Sequence, residues 1–290
     1  VFNKFINRST QYGPDVVFLN LTNGLKKMNI KFLINPKYNR TFQHCIVLND
    51  PATLKKLIDL KKNYNFKIYA GPNLMILSNE YDKILYRSEI NKIIVPSKWI
   101  KKKYIEISNN LIKNKIIIWG SGVDHEKWLP GKEKKYDFLI YSKHIRSKNL
   151  LQKCIKYLIK NNFTYKLLKY GYYSETHFKK YLSKSKKAIF FSESESQGMA
   201  YFESWSANIP TLVYNPMSKY KKKLKIKSHS CPFLNNNLGT DFKNYRQFEK
   251  KIHKFWVDKK YQPRKWIKKN YTLVKAANNL LNKLNIEYNQ

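Results

Sequence analysis

The sequence predicts an α/β fold with two doubly wound domains, each a parallel sheet covered by helices. Short β-branched or aromatic runs alternate with amphipathic helical stretches, which is the pattern of α/β proteins. That pattern breaks near the middle of the chain and then restarts, so two units of similar size follow one another. The chain has 290 residues and is 42% hydrophobic, which suffices for two cores. In such folds, ligands bind at the carboxyl ends of the strands.

The first half of the chain contains the elements of one such domain. Asp50 followed by Pro51 predicts a helix N-terminus, because aspartate caps helices and proline fits their first turn. Pro96 and Ser97 predict a turn and a second N-cap. The predicted helices span 15–27 and 98–105, with another beginning at Pro51, and the predicted strands span 30–34, 45–48, 66–69, 93–95 and 116–119.

A second series of elements follows a break at 120–124. Pro130-Gly131 with the polar residues 132–135 predicts a connection between domains. The predicted strands beyond it span 138–141, 165–169, 188–191 and 211–214, and the predicted helices span 149–159 and 199–206. We therefore expect an N-terminal Rossmann-like domain (1–125), a C-terminal Rossmann-like domain (126–272) and an amphipathic terminal helix (273–290).

Apolar runs and cysteines narrow the class of protein. The sequence has no run of about eighteen uncharged apolar residues, and residues 1–9 have no apolar block behind a basic start, so we expect neither a spanning helix nor a secretory signal. Cys45, Cys154 and Cys231 lie far apart, without another Cys or His at ligand spacing. We therefore expect neither a disulfide framework nor a structural zinc site, and a cytoplasmic location.

The charge of the chain is strongly unbalanced. Lys and Arg number 57 against 19 Asp and Glu, which gives a formal net charge of +38. The excess is spread along the chain rather than gathered in a tail. Such a field attracts polyanions of any class, including nucleic acid, anionic lipid and nucleotides. A lysine-rich surface that only contacts solvent is the other interpretation of this composition.

The stretch 190–213 carries the most informative chemistry. An apolar strand ends at a polar loop, a glycine permits a tight turn, and a helix begins. The residues at this turn are Gln197, Gly198, Met199 and Ala200. Free N–H groups at a helix N-terminus suit a phosphate or diphosphate. Glu195 and Glu203 flank the turn; since a diphosphate repels carboxylates, each glutamate is suited to accept hydrogen bonds from neutral hydroxyls of a ribose or a sugar.

This stretch resembles the retaining glycosyltransferases of the GT-B architecture, specifically the large family four, or group 1. Their signature is a glutamate, seven residues, a second glutamate, a helix of small residues and a proline that begins the next strand. The matching residues are Glu195, Gly198, Glu203, Ala207 and Pro210. The chain departs from the family at Gln197, usually an aromatic residue, and at Asn208, usually glycine. The resemblance implies two Rossmann-like domains facing a cleft, with the C-terminal helix packing back on the first domain.

A second block extends the resemblance. In the family, the first strand of the C-terminal domain ends in a basic residue and a lysine follows five positions later, both reaching the diphosphate of the sugar nucleotide. Lys143 and Lys148 stand at that spacing, with Arg146 between them. The family usually has arginine where this chain has Lys143. Since arginine offers a bidentate fork and lysine a point charge, Arg146 is a candidate for the stronger phosphate contact.

Weaker similarities extend over most of the remaining chain. Residues 94–99 resemble the end of the N-terminal domain, and 122–130 resemble the crossover between domains. Gly13 lies in an early loop that the family places near the donor diphosphate. The terminal helix at 273–290 resembles the helix that returns to the first domain.

The nucleobase end of the donor site departs most from the family. After Gly171 the family has a further strand and loop, whereas this chain has only one helix before the strand at Ala188. The resemblance places the base here, stacked on Tyr172 or Tyr173. A UDP-sugar or a GDP-sugar is the expected donor.

The resemblance also implies a mechanism. Retention in this family is attributed to attack on the same face as the leaving diphosphate, without an enzyme nucleophile. Lys143, Lys148 and the helix N-terminus then stabilise charge on the leaving group, with Glu195 at the donor sugar. The sequence has no Asp-x-Asp motif, which disfavours a metal-held diphosphate, and we expect no cofactor. The family often uses an N-domain histidine near the donor sugar, but the position of His44 before a strand favours a structural role.

The leading hypothesis is therefore a retaining, metal-independent glycosyltransferase. Its charge favours an anionic acceptor, either a glycolipid or surface glycan at an anionic membrane, or a glycan chain. One alternative is a DNA-modifying glycosyltransferase that acts on hydroxymethylated bases, as some phages encode. A further alternative is a non-catalytic, basic nucleic-acid-binding protein on a GT-B fold. The intact pair of Glu195 and Glu203 argues against this last hypothesis.

Overall fold

The computed structural model describes residues 13–37, 42–143, 148–217 and 227–288. Two compact units make up this part of the chain. The N-terminal unit comprises residues 17–122 and the described residues from Leu273 onward, and the C-terminal unit comprises Val123–Thr272 with residues 13–16. Each unit contains one sheet, and all strand pairs in both sheets are parallel. The predicted α/β class with two parallel sheets is confirmed.

The N-terminal unit is built on a four-stranded sheet in which the strands follow their order in the chain. They are β1 (His44–Val47), β2 (Lys67–Ala70), β3 (Ile90–Val95) and β4 (Ile116–Ile118). The helices are α1 (Gly13–Lys27), α2 (Pro51–Leu60) and α3 (Lys98–Ile107), and short helical turns span Glu80–Lys83, Ile84–Tyr86 and Lys113–Lys115.

The start of α2 follows directly from its sequence. The Asp50 side chain accepts a hydrogen bond from the backbone N–H of Ala52 at 3.0 Å, and Pro51 occupies the first helical position. The cap satisfies one of the N–H groups that a helix leaves unpaired at its start. Leu54 and Leu57 then point into the core, so the predicted beginning of this helix is confirmed.

The strand expected at 30–34 is wrong, because residues 30–34 are irregular in the structure. α1 ends in a turn where Asn29 is left-handed (φ 57°) and the N–H of Ile30 donates to the carbonyl of Leu25 at 3.0 Å. Leu33 and Ile34 are exposed. Apolar side chains predict a strand only where a sheet covers them, and no described strand pairs with this segment.

The C-terminal unit is built on a five-stranded sheet in the order β6-β5-β7-β8-β9. The strands are β5 (Tyr136–Ser142), β6 (Tyr165–Lys169), β7 (Ser185–Phe191), β8 (Thr211–Tyr214) and β9 (Gly239–Phe242). The helices are α4 (Lys148–Lys160), α5 (Glu175–Ser183), α6 (Met199–Ser206), α7 (Tyr245–Val257) and α8 (Pro263–Asn270). Because β5 lies between β6 and β7, the carboxyl ends of β5 and β7 mark the topological switch point at which doubly wound sheets bind ligands.

Helices cover both faces of this sheet, as parallel sheets require. Tyr141 and Phe190 belong to the hydrophobic cluster on one face, and Phe138 and Phe191 belong to the cluster on the other. All four side chains are at most 3% exposed. The central strands of the sheet are therefore held rigidly up to their carboxyl ends.

The segment expected to connect the two domains, 130–135, instead packs within the C-terminal unit. A Cβ on Gly131 would lie 2.1 Å from the carbonyl oxygen of Ser183, at the end of α5. The backbone N–H of Lys135 donates to the carbonyl of Lys184 at 2.8 Å. Pro130 and Gly131 thus form a turn fitted against α5.

The terminal helix α9 (Leu273–Leu284) belongs to the N-terminal unit. A Cβ on Gly24 of α1 would lie 2.9 Å from the Cβ of Ala277, so glycine permits the close approach of the two helices. The indole N–H of Trp119 donates to the carbonyl of Ala276 at 2.8 Å.

No helix in the described part of the chain has the length and the apolar character that a membrane span requires.

Candidate functional site

Lys143, Glu195 and the turn 197–200 lie together at the switch point of the C-terminal unit. Lys143 follows β5 directly, and its backbone N–H donates to the carbonyl of Phe191, the last residue of β7, at 2.8 Å. The loop 192–198 follows β7 and leads into α6. Since β5 and β7 are neighbours, the ends of both strands place Lys143 beside this loop.

The turn into α6 has the geometry of an anion site. Gly198 is left-handed (φ 84°), and a Cβ there would lie 2.6 Å from Cδ2 of Tyr201. Glycine is therefore required on two grounds, backbone conformation and space. Within the described residues, the N–H groups of Met199 and Ala200 have no backbone acceptor and no side chain caps the helix. These groups are available to a bound anion.

Glu195 is held by two side chains at the end of the sheet. The Nζ of Lys143 lies 2.9 Å from Oε1 and 3.1 Å from Oε2 of Glu195, and the Ser192 hydroxyl donates to Oε1 at 3.1 Å. The ammonium group of Lys143 also lies 4.7 Å from the ring centre of Tyr170. Only 11% of the Glu195 side chain is exposed. The carboxylate is therefore oriented before any ligand binds.

The segment 227–231 is hydrogen-bonded to the loop 192–198 and supports it. The sequence analysis did not predict this support. The backbone N–H of Glu195 donates to the carbonyl of His229 at 2.9 Å, and the Ser228 hydroxyl donates to the carbonyl of Glu193 at 3.0 Å. The N–H of Cys231 donates to Nδ1 of His229 at 3.2 Å, and burial lowers the pKa of His229. No motif marks such backbone pairing in advance, since it depends on the tertiary fold.

Asn215 anchors the same supporting segment. Its Oδ1 accepts from the N–H of Ser230 at 3.2 Å, and its Nδ2 donates to Oδ2 of Asp241 at 2.9 Å. Asn215 follows β8, and Asp241 lies in β9. The support of Glu195 therefore reaches across the next two strands of the sheet.

Glu203 lies on α6 in a different electrostatic environment. Its side chain is half-buried and makes no hydrogen bond to the described residues. Burial and the nearby Glu175 raise its pKa to about 8, and Lys127 acts in the opposite direction. Lys127 and Glu175 form their own ion pair at 2.6 Å. Glu203 is therefore a hydrogen-bonding group poised between its neutral and charged forms near neutral pH.

The two tyrosines considered for the nucleobase occupy different environments. Tyr172 is 87% exposed and follows Gly171, which is left-handed (φ 85°). Tyr173 is half-buried, and its hydroxyl donates to the hydroxyl of Tyr141 at 3.1 Å. Of the two, Tyr172 has the ring face open to a stacking ligand.

The remaining predicted site residues are distributed as follows. Gln197 is 4% exposed in the loop before α6. Lys148 begins α4, and Arg146 lies outside the described residues. Gly13 is exposed at the start of α1, and no described hydrogen bond joins it to the cluster around Glu195. Lys143, Glu195 and the turn into α6 therefore lie together, and no described hydrogen bond links Gly13 to them.

His44 lies at the amino end of β1, the edge of the N-terminal sheet opposite to its carboxyl ends. Its Nδ1 is 3.0 Å from the hydroxyl of Tyr69, which donates to the carbonyl of Leu284 at 3.2 Å. Burial and Lys67 lower the pKa of His44. The neutral imidazole therefore belongs to the hydrogen-bonded group that joins the end of α9 to the sheet.

Metal ligands do not cluster in the described part of the chain. No group of three or more His, Cys, Asp or Glu side chains there is arranged to hold a metal ion. Lys143 places a positive charge 2.9 Å from the Glu195 carboxylate.

Comparison with known proteins gives structural relatives only. The sequence matches no protein-family model and no curated protein. The structure resembles that of TarM, with a TM-score of 0.58 at 14% identity over 93% of this chain and 58% of that chain. It also resembles the lipopolysaccharide outer core galactosyltransferase WaaB in its apo form, with a TM-score of 0.55 at 13% identity over 93% of this chain and 80% of that chain.

A third similar structure contains bound ligands. HepE of Anabaena, in complex with UDP and glucose, gives a TM-score of 0.56 at 8% identity over 96% of this chain and 97% of that chain. The chain thus spans 58% of the length of TarM and nearly all of HepE. At these identities the likeness shows the fold, which is that of the GT-B glycosyltransferases, and the predicted fold class is confirmed.

Proposed function

We propose that this protein is a retaining glycosyltransferase that transfers a sugar from a nucleotide-sugar donor to a glycan or glycolipid acceptor. The observation that carries the proposal is the arrangement at the switch point of the C-terminal unit. There, a buried carboxylate, a lysine and a helix N-terminus that no described side chain caps meet at one edge of the sheet. A nucleoside diphosphate linked to a sugar offers the matching groups, an anion and neutral hydroxyls.

The donor diphosphate binds at the turn into α6. The N–H groups of Met199 and Ala200 face it, and Lys143 supplies positive charge, with Lys148 and Arg146 contributing from the segment that follows β5. The nucleobase stacks on Tyr172 and the ribose binds Glu203. UDP is the first candidate nucleotide, because the similar HepE structure contains UDP and glucose.

Glu195 acts on the donor sugar. Lys143 and Ser192 fix the carboxylate at the site edge, where it accepts hydrogen bonds from sugar hydroxyls. As the bond to the diphosphate breaks, negative charge grows on the leaving oxygen, and Lys143 and the α6 N–H groups stabilise it. The acceptor attacks from the side of the leaving group, which gives retention. These cations take the place of a metal ion in the proposal.

The acceptor is assigned to the N-terminal unit, and the donor to the C-terminal unit. The net charge of +38 favours an anionic acceptor or an acceptor at an anionic membrane surface. WaaB, which shares the fold, is a lipopolysaccharide galactosyltransferase. The three free cysteines suit a reducing compartment, so we place the enzyme in the cytoplasm, in peripheral contact with the membrane.

A donor screen tests the proposal. Thermal unfolding is measured with UDP-, GDP-, ADP- and dTDP-sugars, and a ligand at a hundred times its Kd should stabilise the fold by about 2.7 kcal/mol. Release of the nucleoside diphosphate is then followed with a lipid-linked glycan, hydroxymethylated DNA or a neutral soluble sugar as acceptor. Stabilisation by one nucleotide sugar and transfer to a glycan support the proposal. Binding of DNA without binding of any nucleotide sugar would overturn it.

A further inference from the structure

We propose that the surface formed by helices α4 and α7 of the C-terminal unit docks on an anionic lipid membrane. The proposal rests on the proposed function in one respect, the contact of the enzyme with a membrane, and it assigns that contact to one surface. The binding of lipid can be measured without any transfer of sugar, so the two proposals can fail separately.

The helices α4 and α7 lie side by side on one face of the five-stranded sheet. Leu158 of α4 and Ile252 of α7 are fully buried in the hydrophobic cluster on that face. The ring centre of Tyr157 lies 6.1 Å from that of His253, and the ring centre of Phe163, which follows α4, lies 5.6 Å from that of His253. The sides of the two helices that point away from the sheet therefore form one surface.

Both helices present cations and an apolar side chain on this surface. Ile159 is 57% exposed and Val257 is 68% exposed, each in the last turn of its helix. The exposed residues three or four positions from them, or one turn further back, share the side opposite to the sheet. These neighbours are Lys156 and Lys160 on α4 and Lys250, His253 and Lys254 on α7. Together with Ile159 and Val257 they make up the α4–α7 face.

The charge of the α4–α7 face selects its partner. Glu249 is the only acidic residue in the sequences of the two helices, which are otherwise rich in lysine. A second copy of this chain would bring the same positive charge to the contact, which disfavours self-association through this face. A membrane that contains anionic lipid has the opposite charge and attracts basic residues close to its surface.

The two apolar side chains favour a membrane over a nucleic acid. A phosphate backbone is bound by cations and hydrogen-bond donors, and an exposed isoleucine or valine adds nothing to that contact. At a bilayer, apolar side chains are buried at the boundary between headgroups and acyl chains, while lysine ammonium groups stay among the headgroups. Ile159 and Val257 match the first role, and the lysines around them match the second.

The apolar end of the α4–α7 face lies at the edge of the sheet opposite to the proposed donor site. The ring centres of Phe163 and Trp256 lie 5.2 Å and 5.3 Å from that of Phe138, near the start of β5. The Nζ of Lys186, near the start of β7, lies 5.0 Å from the centre of the Trp256 ring. The proposed donor site is at the carboxyl ends of these strands, so substitutions on the α4–α7 face should leave nucleotide binding unchanged.

The test measures the binding of the full chain to vesicles and to duplex DNA at about 150 mM salt, where surface charges act over about 8 Å. Vesicles of phosphatidylcholine alone are compared with vesicles of phosphatidylcholine and phosphatidylglycerol in equal parts. Lys156→Glu combined with Lys254→Glu reverses charge on the α4–α7 face. Lys179→Glu combined with Lys180→Glu is the matched control, because these exposed lysines belong to α5, on the other face of the same sheet.

The wild type should bind the anionic vesicles and not the neutral ones. Charge reversal on the α4–α7 face should weaken this binding about 30-fold or more, because each lysine near an anionic surface contributes roughly a factor of five. The control should bind like the wild type within about twofold, since its lysines lie on the other face of the sheet. Equal losses in the two variants would mean that the overall charge attracts the lipid, which would overturn the proposal.

A second variant separates a membrane from other polyanions. Ile159→Ser combined with Val257→Ser keeps every charge and removes the two apolar side chains. It should bind anionic vesicles about tenfold more weakly, because less apolar surface is buried, and should bind duplex DNA like the wild type. Unchanged binding to vesicles would make the face a general polyanion surface and would overturn docking on lipid.

Two further measurements on the same preparations complete the test. All the substituted side chains are exposed, so the thermal unfolding temperature of each variant should equal that of the wild type. The affinity for UDP distinguishes the two proposals. Binding of UDP without binding of anionic vesicles would overturn only the membrane-docking face, and vesicle binding through this face without binding of any nucleotide sugar would overturn only the proposed function.

Discussion

The Nζ of Lys143 lies 2.9 Å from Oε1 of Glu195, so the cation assigned to the diphosphate and the carboxylate assigned to the sugar form an ion pair. Three-quarters of the Lys143 side chain is buried, which strengthens the pair relative to one at the surface. In the proposed mechanism, Lys143 interacts with both the Glu195 carboxylate and the diphosphate, and the variants below separate the two roles.

Replacing either glutamate should affect a different step. Glu195→Gln removes the charge that competes for Lys143, so UDP affinity should stay equal or rise, whereas transfer should fall on the order of 100-fold. Glu203→Gln should weaken the binding of UDP and leave a slower transfer reaction at saturating donor. Calorimetry and initial rates measure both effects. An equal loss of UDP affinity in the two variants would contradict this division of roles.

Lys143→Met should weaken diphosphate binding by about 1.5–3 kcal/mol, the range for hydrogen bonds to charged groups. Uridine, which has no phosphate, should bind the variant and the wild type alike. Lys186→Met is the matched control, since Lys186 forms a 2.9 Å ion pair with Asp137 at the amino end of the same sheet. If the affinity for uridine fell as much as the affinity for UDP, Lys143 would not be a phosphate-binding residue.

Nucleotide binding should depend on pH through Glu203, whose pKa is raised to about 8. Below that pH the free protein holds the neutral carboxyl group, while a ribose hydroxyl donates best to the carboxylate. UDP affinity should therefore fall as pH is lowered from 9 to 7, by up to tenfold per unit. The charged groups that act on Glu203 are Glu175 and Lys127, which form their own ion pair at 2.6 Å.

Glu203→Gln provides the control for this pH dependence. The variant should bind UDP with a flatter profile between pH 7 and 9. Because the raised pKa makes the folded protein hold a proton that the unfolded chain releases, the buried charge destabilises the fold above pH 8 and the penalty fades at lower pH. The substitution should thus stabilise the protein more at pH 9 than at pH 6. An unchanged slope in the variant would assign the titration to another group.

Gly198→Ala should damage both the fold and the site. The residue would sit in a left-handed conformation, at a cost on the order of 1–2 kcal/mol, and its Cβ would lie 2.6 Å from the Tyr201 ring. Gly171→Ala isolates the first effect, since Gly171 is also left-handed (φ 85°) but has no atom within 4 Å of such a Cβ. Chemical unfolding should show a larger loss for Gly198→Ala. Equal losses of stability would mean that the Tyr201 ring moves aside without a cost in free energy.

Much of the fold was predictable because its signals are local. α6 and β8 have the bounds that the sequence predicts, 199–206 and 211–214, since a glycine, an amphipathic run and a proline mark them. The positions of Glu195, Gly198 and Lys143 at the ends of β7 and β5 follow from the same local signals, and their roles in the site stay predictions.

β9, α7 and α8 were not predicted. The two helices have local signals that the sequence analysis missed: Asn244 caps α7, whose Phe248, Ile252 and Phe255 recur at helical spacing, and Pro263 begins α8.

The supporting contacts of the site were beyond sequence reasoning. The pairing of Glu195 with Lys143 joins residues 52 positions apart, and that of the Glu195 backbone with His229 joins two loops. Such contacts arise from strand order, which no local pattern encodes. The strand expected at 30–34 failed for the related reason that a strand needs a partner, which its own residues do not specify.

The most direct test of the account is the transfer reaction itself, with the anomeric configuration of the product read by NMR. The protein is incubated with the nucleotide sugar chosen by the donor screen and with a glycan acceptor at about 150 mM salt, where surface charges act over about 8 Å. The account predicts a product with the anomeric configuration of the donor, formed by the wild type and nearly absent with Glu195→Gln. An inverted product, or transfer that is unaffected by Glu195→Gln, would contradict it.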